Sequence, residues 1–429
     1  MFDGKSVLIT GGTGSLGQAL TKKLLKLSVS EIRIFSRNEH KQIEMSSNIG
    51  DSRVKFLIGD VRDLPRLSRA VEGVDIVFHA AALKHVPVVE HNPFEAIQTN
   101  VVGSQNVIDA CLSNQVDRAI CVGTDKAVSP LNTYGATKLL MEKLFVTAKH
   151  YSNPAKHPTK FIALRYGNVM GSSGSVIPKF IEQIKNSSTV TITDKTMTRF
   201  NITMDEALDF ILKASILGKG SEVFVPKLRA YDIMDLKTAL DEIINPSKEE
   251  IIGIRPGEKL HEVLINSDEM RYSWELDEMY LLANPFFPSF SPENVVKNYQ
   301  NAKKMINQES YSSNNAPKIS PDELKKLGQW QREALQKQGA NPGMGAGLAE
   351  LFYGAGITII ETGTISTSTR EAMSADERAN EWETIEADLA GIIPDEDIQK
   401  IKRLDFAAWE RGERVLYVPT HYLWGKNKV

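Results

Sequence analysis

The chain has 429 residues, 41% hydrophobic and 24% charged, which is enough for two or three globular domains with a buried core. Its 51 basic and 54 acidic residues give a net charge of -3 without a long block of one sign, so neither a nucleic-acid-binding arm nor a membrane-surface patch is indicated. The chain has two isolated cysteines, no room for a signal peptide after Met1 and no apolar run of bilayer length. We therefore expect a cytoplasmic protein without a membrane partner.

Short β-rich runs alternate with helical patterns over the first part of the chain. The runs are SVLIT (6–10), EIRIF (31–35), VKFLIGD (54–60), DIVFHAA (75–81), RAICVGT (118–124) and KFIALRYGNV (160–169). This alternation predicts an α/β fold with a Rossmann-type, doubly wound parallel sheet. We expect residues 1–170 to form a dinucleotide-binding domain that also carries the catalytic residues.

The later regions have a different character. The spacing of apolar residues is less regular over 171–306, which predicts a smaller region that mainly binds substrate. The stretch 307–327 is rich in Ser, Asn and Pro, and we expect it to be a linker or an irregular tail. The remaining residues, 328–429, are expected to form a separate module.

A glycine-rich turn, GGTGSLG, lies between the first strand and a helix with leucines at helical spacing. In that order of elements, backbone N–H groups and the helix N-terminus face a pyrophosphate, and the glycines permit close approach. The alternative is a tight turn with no ligand. The residues expected to hold the cofactor here are Gly11, Thr13, Gly14, Ser15, Leu16 and Gly17.

The second strand ends in Ser36 and Arg37 where an acidic residue would bind a free ribose 2′-hydroxyl. A hydroxyl and a guanidinium suit a 2′-phosphate, which favours NADP over NAD. Lys41 either adds charge to this site or is a solvated surface lysine. The ends of the third and fourth strands are expected to contact the adenine and the middle of the cofactor through Asp60, Val61, Ala80 and Ala81.

The fifth strand ends in Thr124, Asp125 and Lys126, and the helix pattern YGATK follows it. The i, i+4 spacing places Tyr134 and Lys138 on one face of that helix, where both are also expected to contact the cofactor. A lysine cation beside a phenol favours the phenolate. Tyr134 is therefore the candidate base for a sugar hydroxyl whose carbon gives up a hydride.

Five segments together resemble a known family: HAAALKHVPVVEHNPFEAIQTN, GTDKAVSPLNTYGATK, RYGNVMGSSGSVIP, MTRF and GIRPGEKLHE. They are similar to the inverting UDP-N-acetylglucosamine 4,6-dehydratases of pseudaminic acid synthesis, within the extended short-chain dehydrogenases. The resemblance covers about residues 1–327. Ordinary sugar 4,6-dehydratases resemble TDE where this chain has TDK. Capsule-type enzymes for this sugar nucleotide resemble MGxxK where this chain keeps Tyr134, and KQVP in place of KHVP.

The resemblance implies a UDP-sugar substrate and a mechanism. Tyr134 takes the O4 proton as the C4 hydride leaves, Lys126 takes the C5 proton, and Asp125 gives a proton to the departing C6 hydroxyl. Asp125 as a carboxylate that only orients its neighbours is the alternative. Thr124 is expected to position the sugar or the phenol by hydrogen bonding.

The resemblance also implies substrate contacts. Arg199 and Arg255 match the family's diphosphate-binding arginines, and Glu258 matches a uridine-ribose contact. Lys84 and Asn168 lie on matched motifs near the site. We expect no metal site, because His261 and Glu262 do not continue into HExxH.

The last hundred residues are similar to the C-terminal part of a class I S-adenosylmethionine methyltransferase. They lack a strand followed by that family's glycine loop, and Gly343, Gly345 and Gly347 follow a helical run instead. Ser374 and Glu377 fit a helix capping box. We therefore expect a fused, truncated or partner-dependent module without methyl-transfer activity of its own; in the last case its partner would be a protein.

Other functions remain open at this point. They are a UDP-sugar 4-epimerase, a C5-retaining dehydratase, and a redox-inactive NADP-binding scaffold. The family resemblance also implies a homo-oligomer.

Overall fold

The computed structural model describes residues 2–150, 152–153, 156–170, 176–187, 189–255, 257–306, 309–326, 329, 357–365 and 420–427. The chain divides into two compact units, Met1–Gln331 and Arg332–Val429.

The described strands of the first unit are β1 (Ser6–Thr10), β2 (Glu31–Ser36), β3 (Val54–Ile58), β4 (Ile76–His79), β5 (Arg118–Val122), β6 (Lys160–Leu164), β7 (Thr189–Ile192), β8 (Thr198–Asn201), β9 (Glu222–Pro226), β10 (Arg229–Asp232), β11 (Lys248–Ile251), β12 (Val263–Ile265), β13 (Ser273–Glu275), β14 (Met279–Ala283), β15 (Lys303–Lys304) and β16 (Tyr311–Ser312).

Its described α-helices are α1 (Ser15–Leu25), α2 (Glu39–Ile49), α3 (Leu64–Val71), α4 (Val86–His91), α5 (Pro93–Ala96), α6 (Gly103–Ser113), α7 (Thr133–Thr147), α8 (Val176–Ser187), α9 (Met204–Leu217), α10 (Ile233–Ile243), α11 (Ser267–Met270) and α12 (Pro292–Asn298). A π-helical turn spans Ile97–Val102, and 3₁₀ turns span Asp125–Ala127, Ala148–His150 and Pro288–Phe290.

The main sheet has ten strands in the order β15-β13-β14-β9-β6-β5-β4-β1-β2-β3. The seven strands from β3 to β9 pair in parallel, and β14, β13 and β15 extend one edge antiparallel. The order β3-β2-β1-β4-β5-β6 is that of a doubly wound Rossmann sheet, so the predicted fold class is confirmed for this unit. In such sheets ligands bind at the carboxyl ends of the strands where the order reverses, here between β1 and β4.

The sheet does not stop at residue 170, where we expected the first domain to end. Strand β9 pairs with β6, and β14 pairs with β9, although both come from the region expected to cover the substrate. All five residues of β9 are buried, because the strand lies inside the sheet and not at its edge. The first domain is therefore built from separated parts of the chain.

A second apolar core lies among α8, β7, β10 and α10, and it includes Ile319 and Leu324. Strand β16 pairs antiparallel with β12. The expectation of a linker over 307–327 is therefore wrong for the described residues 309–326. Their few apolar side chains are buried in the unit, and the many Ser and Asn residues make turns within it.

The described residues of the second unit form one antiparallel pair of strands, β17 (Ile357–Ile365) with β18 (Thr420–Asn427). Gly343, Gly345, Gly347, Ser374 and Glu377 lie outside the described residues. Within the described parts of the chain, no helix has both the length and the apolar character needed to cross a membrane.

Candidate active site

The glycine-rich loop between β1 and α1 is shaped for close approach. Gly11 has a positive φ of 67°, and a Cβ there would lie 2.8 Å from the Ala81 Cα. A Cβ on Gly17 would lie 2.4 Å from the Gly12 carbonyl oxygen. Gly14 is the N-cap of α1, and no side chain in the described residues caps that helix. The loop therefore leaves backbone amides at the N-terminus of α1 for an anion, which fits the pyrophosphate of a dinucleotide.

Ser36 and Arg37 lie at the carboxyl end of β2, at the expected adenosine end of this site. Gln42 Nε2 donates to Ser36 Oγ at 2.9 Å, so the hydroxyl hydrogen of Ser36 can still be donated. The Arg37 side chain is 54% exposed, and its Nη1 lies 3.8 Å from Asp60 Oδ2. Arg62 binds that same carboxylate at 2.7 Å. Arg37 is thus held loosely, which suits a cation that binds a ligand.

The other expected cofactor contacts surround the loop. Thr13, Ser15 and Leu16 lie on it or on the first turn of α1, and Ala80 follows β4. Val61 is buried and would meet a Cβ placed on Gly103 at 2.7 Å. Lys41 is exposed on α2, and its backbone amide donates to the capping side chain of Asn38 at 2.9 Å.

Tyr134 and Lys138 lie buried in α7 beside the end of β5. The Lys138 ammonium donates to the Val122 carbonyl at 2.8 Å, and burial lowers its pKa to about 8. Burial and the charge of Asp125 raise the pKa of Tyr134, and the Lys126 cation and the Thr124 hydroxyl oppose that rise. We expected Lys138 to be the lysine that favours the phenolate. In the structure the Lys138 ammonium faces a strand carbonyl, and the Lys126 cation is the positive charge that lowers the pKa of Tyr134.

Asp125 and Lys126 form an ion pair on the 3₁₀ turn that follows β5. Lys126 Nζ lies 3.2 Å from both Asp125 carboxylate oxygens, and Thr124 Oγ1 donates to Asp125 Oδ1 at 2.7 Å. Asp125 is only 3% exposed. Burial lowers the pKa of Lys126, but the charges of Asp125 and Glu262 outweigh it, so the net pKa is above its ordinary value. Lys126 is therefore held as a cation.

Glu262 is a site residue that the sequence analysis considered only for a zinc motif. It is buried, with Phe200 N donating to Oε2 at 3.0 Å and Asn168 Nδ2 donating to Oε1 at 2.9 Å. Its Oε1 lies 4.0 Å from Lys126 Nζ. Burial and the charge of Asp125 raise the pKa of Glu262 to about 7. The sequence signal was its place in GIRPGEKLHE, a segment already linked to the site.

Lys259, from the same segment, was also missed. Its Nζ donates to the Val128 carbonyl, just past the Asp125–Ala127 turn. Burial lowers its pKa, while the charges of Asp125 and Lys126 act on it in opposite directions. Lys259 therefore links the GEKLHE segment (257–262) to the end of the catalytic turn, the name used below for Asp125–Ala127 with its proposed reactive residues.

Arg199 binds protein groups on every side. Its Nη1 donates to the carbonyls of Thr198 and Leu260 at 2.7 and 3.0 Å, and its Nη2 donates to Glu258 Oε1 at 3.4 Å. Its Nε lies 3.6 Å from Glu262 Oε1. In this arrangement Arg199 organises the GEKLHE segment, and a diphosphate would have to compete for its donors.

The remaining expected substrate contacts are more open. Arg255 and Lys84 are exposed. The pKa of Lys179 on α8 is lowered mainly by burial and further by the positive charge of Arg255. Glu258 Oε2 is buried without a hydrogen-bond partner among the described residues. Asn168 uses both ends of its amide, accepting from Lys126 at 3.1 Å and donating to Glu262.

Comparisons with known proteins identify the family of this chain. A family model described as "Polysaccharide biosynthesis protein" matches residues 7–284. The inverting UDP-N-acetylglucosamine 4,6-dehydratase of Campylobacter jejuni is 45% identical over 325 residues, which are 74% of this chain and 95% of that protein. The UDP-glucose 4-epimerase of Rickettsia conorii is 43% identical over 335 residues, 76% of this chain and 96% of that protein.

A solved structure, Pen from Bacillus thuringiensis, is 38% identical with a TM-score of 0.69. The match covers 77% of this chain and 98% of that one.

Proposed function

Because the chain belongs to the polysaccharide biosynthesis protein family, we propose that its first unit is a C5-inverting UDP-N-acetylglucosamine 4,6-dehydratase. The reaction oxidises C4, eliminates water across C5 and C6, and reduces C6 to give a UDP-2-acetamido-2,6-dideoxy-hexos-4-ulose. Nonulosonic acid synthesis of the pseudaminic kind would consume this product. The observation that carries the proposal is the Asp125–Lys126 ion pair, whose charges both act on buried Tyr134, at the same carboxyl edge of the parallel sheet as the glycine-rich loop.

The loop is proposed to hold NADP. A nicotinamide dinucleotide bound there supplies an acceptor for the C4 hydride and the donor that returns it to C6. Backbone amides at the N-terminus of α1 would bind its pyrophosphate. Ser36 and Arg37 would bind the 2′-phosphate that distinguishes NADP. The Ser36 hydroxyl can donate a hydrogen bond to it, and the Arg37 guanidinium can donate charge-assisted hydrogen bonds.

Tyr134 is the proposed base for the C4 hydroxyl. Its phenolate is favoured by the Lys126 cation and by the Thr124 hydroxyl, which oppose the effect of burial. Thr124 has one hydroxyl hydrogen, donated here to Asp125. Turning that hydrogen to Tyr134 would stabilise the phenolate as it forms.

Lys126 and Asp125 are proposed to carry out the elimination together. To remove the C5 proton, Lys126 must be a neutral amine, and to protonate the C6 hydroxyl, Asp125 must be a carboxylic acid. The resting ion pair has the opposite protonation. Transfer of one proton across the 3.2 Å contact, from Lys126 Nζ to Asp125, produces both reactive forms at once. The elimination then returns Lys126 to a cation and Asp125 to a carboxylate.

The diphosphate and uridine ends of the substrate are proposed to bind at the GEKLHE segment and α8. Arg255 and Lys179 are two cations close enough for their charges to interact, which suits a diphosphate. The unpartnered Oε2 of Glu258 is an acceptor for a ribose hydroxyl. Lys84 and Asn168 are proposed to lie near the sugar.

One incubation tests the proposal. We expect the purified full chain, given NADP⁺ and UDP-N-acetylglucosamine in D₂O, to form a product with a 6-methyl signal and deuterium at C5 by NMR. Proton couplings of that product distinguish inversion from retention at C5. A preparation that binds the cofactor but leaves the sugar unchanged would contradict the proposal and favour a redox-inactive scaffold.

A 4-epimerase is the second candidate, because the Rickettsia conorii relative at 43% identity has that name. An epimerase oxidises and reduces the same carbon, so it forms a 4-epimer without a 6-methyl group. The same spectrum therefore separates the two functions.

A homo-oligomer is proposed from one apolar surface. The side chains of Val88, Phe94, Ile97 and Leu140 are 39% to 66% exposed, on α4, α5, the π-helical turn and α7. These elements pack against one another, so a second copy of the chain would cover them together. Light scattering of the full chain and of Phe94→Asp tests this, and equal masses at the monomer value would contradict it.

For residues 328–429 we propose a module similar to the C-terminal part of a class I methyltransferase but without methyl transfer. Absence of the glycine loop in the sequence supports this. Calorimetric titration of the full chain with S-adenosylmethionine should detect no binding, and measurable affinity would overturn it. A protein partner for this module would be sought by co-purification with the full chain.

A further inference from the structure

Lys126 lies between two buried carboxylates, not one. Asp125 contacts its Nζ at 3.2 Å from one side, and Glu262 Oε1 lies 4.0 Å away on another. Both carboxyl groups are almost fully buried, so little water screens their effect on the amine. The proton affinity of Lys126 therefore depends on the charge state of both.

The two carboxylates do different things. Asp125 accepts from Thr124, and its charge acts on Tyr134, so it faces the reacting groups. Glu262 is held by groups of β8: Phe200 N donates to its Oε2 at 3.0 Å, and Arg199 Nε lies 3.6 Å from its Oε1. Glu262 is thus placed to act on Lys126 without touching the sugar.

Asn168 joins the two residues. Its Oδ1 accepts from Lys126 Nζ at 3.1 Å, and its Nδ2 donates to Glu262 Oε1 at 2.9 Å. An amide in this position fixes the separation of the amine and the carboxylate and gives both a polar partner. The arrangement keeps Lys126 within reach of Asp125 while Glu262 influences its charge.

We propose that Glu262 is a positioning residue that controls the proton on Lys126. When ionised, Glu262 keeps the proton on the Lys126 amine. When it carries a proton itself, Lys126 can pass its own to Asp125, which produces the base and the acid that the elimination requires. The catalytic consequence rests on the proposed dehydratase function, whereas the link between the two charges does not.

The environment of Glu262 decides the direction of its titration. Burial and the negative charge of Asp125 raise its pKa, and the cations Lys126 and Arg199 lower it, with a net value of about 7. The charged and titratable groups that act on it or respond to it come from the catalytic turn, β8, β10 and the GEKLHE segment: Asp125, Lys126, Arg199, Tyr231 and Lys259. Glu262 therefore loses its proton at a higher pH than an ordinary glutamate does.

The pH dependence of turnover tests the catalytic part. In the parent, the rate of C5 deuterium incorporation should fall as pH rises through the ionisation of Glu262, by at most about tenfold per pH unit for one proton. In Glu262→Gln, where the side chain is permanently neutral, the rate should no longer fall as pH rises. The matched control, Glu323→Gln, removes an exposed carboxylate paired with Arg229 and should leave the profile unchanged. A loss of rate in Glu262→Gln that is equal at all pH values, or an unchanged fall, would overturn the proposal.

A titration without substrate tests the link itself. In protein labelled with ¹³C at the glutamate carboxyl groups, one signal should titrate near pH 7 and be absent from Glu262→Gln. In Lys126→Met that signal should titrate at higher pH, because the Lys126 cation lowers the pKa of Glu262. A signal that Lys126→Met leaves in place would overturn the proposal even if Glu262→Gln does not fold. If the titration behaves as expected but the parent forms no 6-methyl product, the dehydratase function fails and the control of Lys126 by Glu262 stands.

Discussion

The ammonium of Lys126 lies 3.2 Å from both carboxylate oxygens of its chain neighbour Asp125. Adjacent residues rarely meet this closely in an extended strand, where successive side chains point to opposite faces. The 3₁₀ turn after β5 brings them together, and Thr124 caps that turn through its own hydroxyl. The end of β5 thus brings together, from two consecutive residues, the proposed acid and the proposed base of the elimination.

Lys126→Met should stop the elimination while leaving substrate binding nearly intact. The thioether keeps most of the side-chain length but cannot take a proton, and general base catalysis typically contributes about 10²- to 10⁴-fold. C5 deuterium incorporation in D₂O should fall by that factor, as measured by NMR. Lys237→Met, which removes a lysine paired with Asp241 on α10, is the control and should exchange at the parent rate. Exchange in Lys126→Met at the parent rate would exclude Lys126 as the base.

Thr124→Val should raise the pH at which Tyr134 ionises. Burial already raises the Tyr134 pKa, and the Thr124 hydroxyl lowers it, so removing the hydroxyl leaves the effect of burial less opposed. The phenolate then forms only at higher pH, and the acid limb of the rate profile moves the same way. Tyrosinate absorbance, corrected by subtracting Tyr134→Phe, measures the shift directly. Thr147→Val, whose hydroxyl bonds only within α7, should leave it unmoved; a matching shift there would contradict the assignment.

Gly17→Ala should weaken dinucleotide binding by about tenfold or more. The added Cβ would lie 2.4 Å from the Gly12 carbonyl oxygen, and such overpacking typically costs about 1–3 kcal/mol, here by displacing the loop. Calorimetric titration with NADPH measures the loss. Gly50→Asn is the control, because nothing lies within 4 Å of a Cβ added at Gly50 and Asn tolerates its φ of 60°. Equal affinities for parent and Gly17→Ala would place the cofactor elsewhere.

Arg37→Ala should weaken NADPH binding and leave NADH binding unchanged. A charge-assisted hydrogen bond contributes about 1.5–3 kcal/mol, which corresponds to roughly 10- to 100-fold in affinity. Fluorescence titration with each reduced cofactor gives the ratio. Arg53→Ala, which removes an arginine paired with Asp51 just before β3, should change neither value. A parent that prefers NADH would contradict the NADP assignment.

The sequence predicted the first six strands because each is a short apolar run between turns. The β4 run was expected over 75–81 and forms Ile76–His79, all four residues buried. The sequence did not predict that β9 and β14 continue the sheet. Strand β9 pairs in parallel with β6, and β14 pairs antiparallel with β9, and both pairings join segments far apart in the chain. Nor did composition reveal that Ile319 and Leu324 are buried, since the polar residues around them resemble those of a linker.

The candidate site, like the fold, could be predicted only where its residues lie close together in the sequence. Tyr134, Asp125 and Lys126 follow from two local motifs near one strand end. Glu262 does not, because its link to Asn168 spans 94 residues and its isolated sequence context suggests only a failed zinc motif. Local spacing indicates which groups share a helix face, but the proton affinity of Lys126 depends on a carboxylate that only the tertiary fold brings near.

Arg165→Met should strongly destabilise the first unit. Arg165 is fully buried at the end of β6, where its guanidinium binds both oxygens of Glu142 on α7 and both of Glu269 on α11. Removing it leaves two buried carboxylates unpaired, and breaking such a cluster costs about 3–5 kcal/mol. The midpoint of urea unfolding, followed by circular dichroism, measures this. Arg229→Ala removes an exposed ion pair and should cost at most about 1 kcal/mol. Since Glu142 lies in α7 with Tyr134 and Lys138, Arg165 links that helix to the sheet. Comparable losses of stability in the two variants would show that it does not.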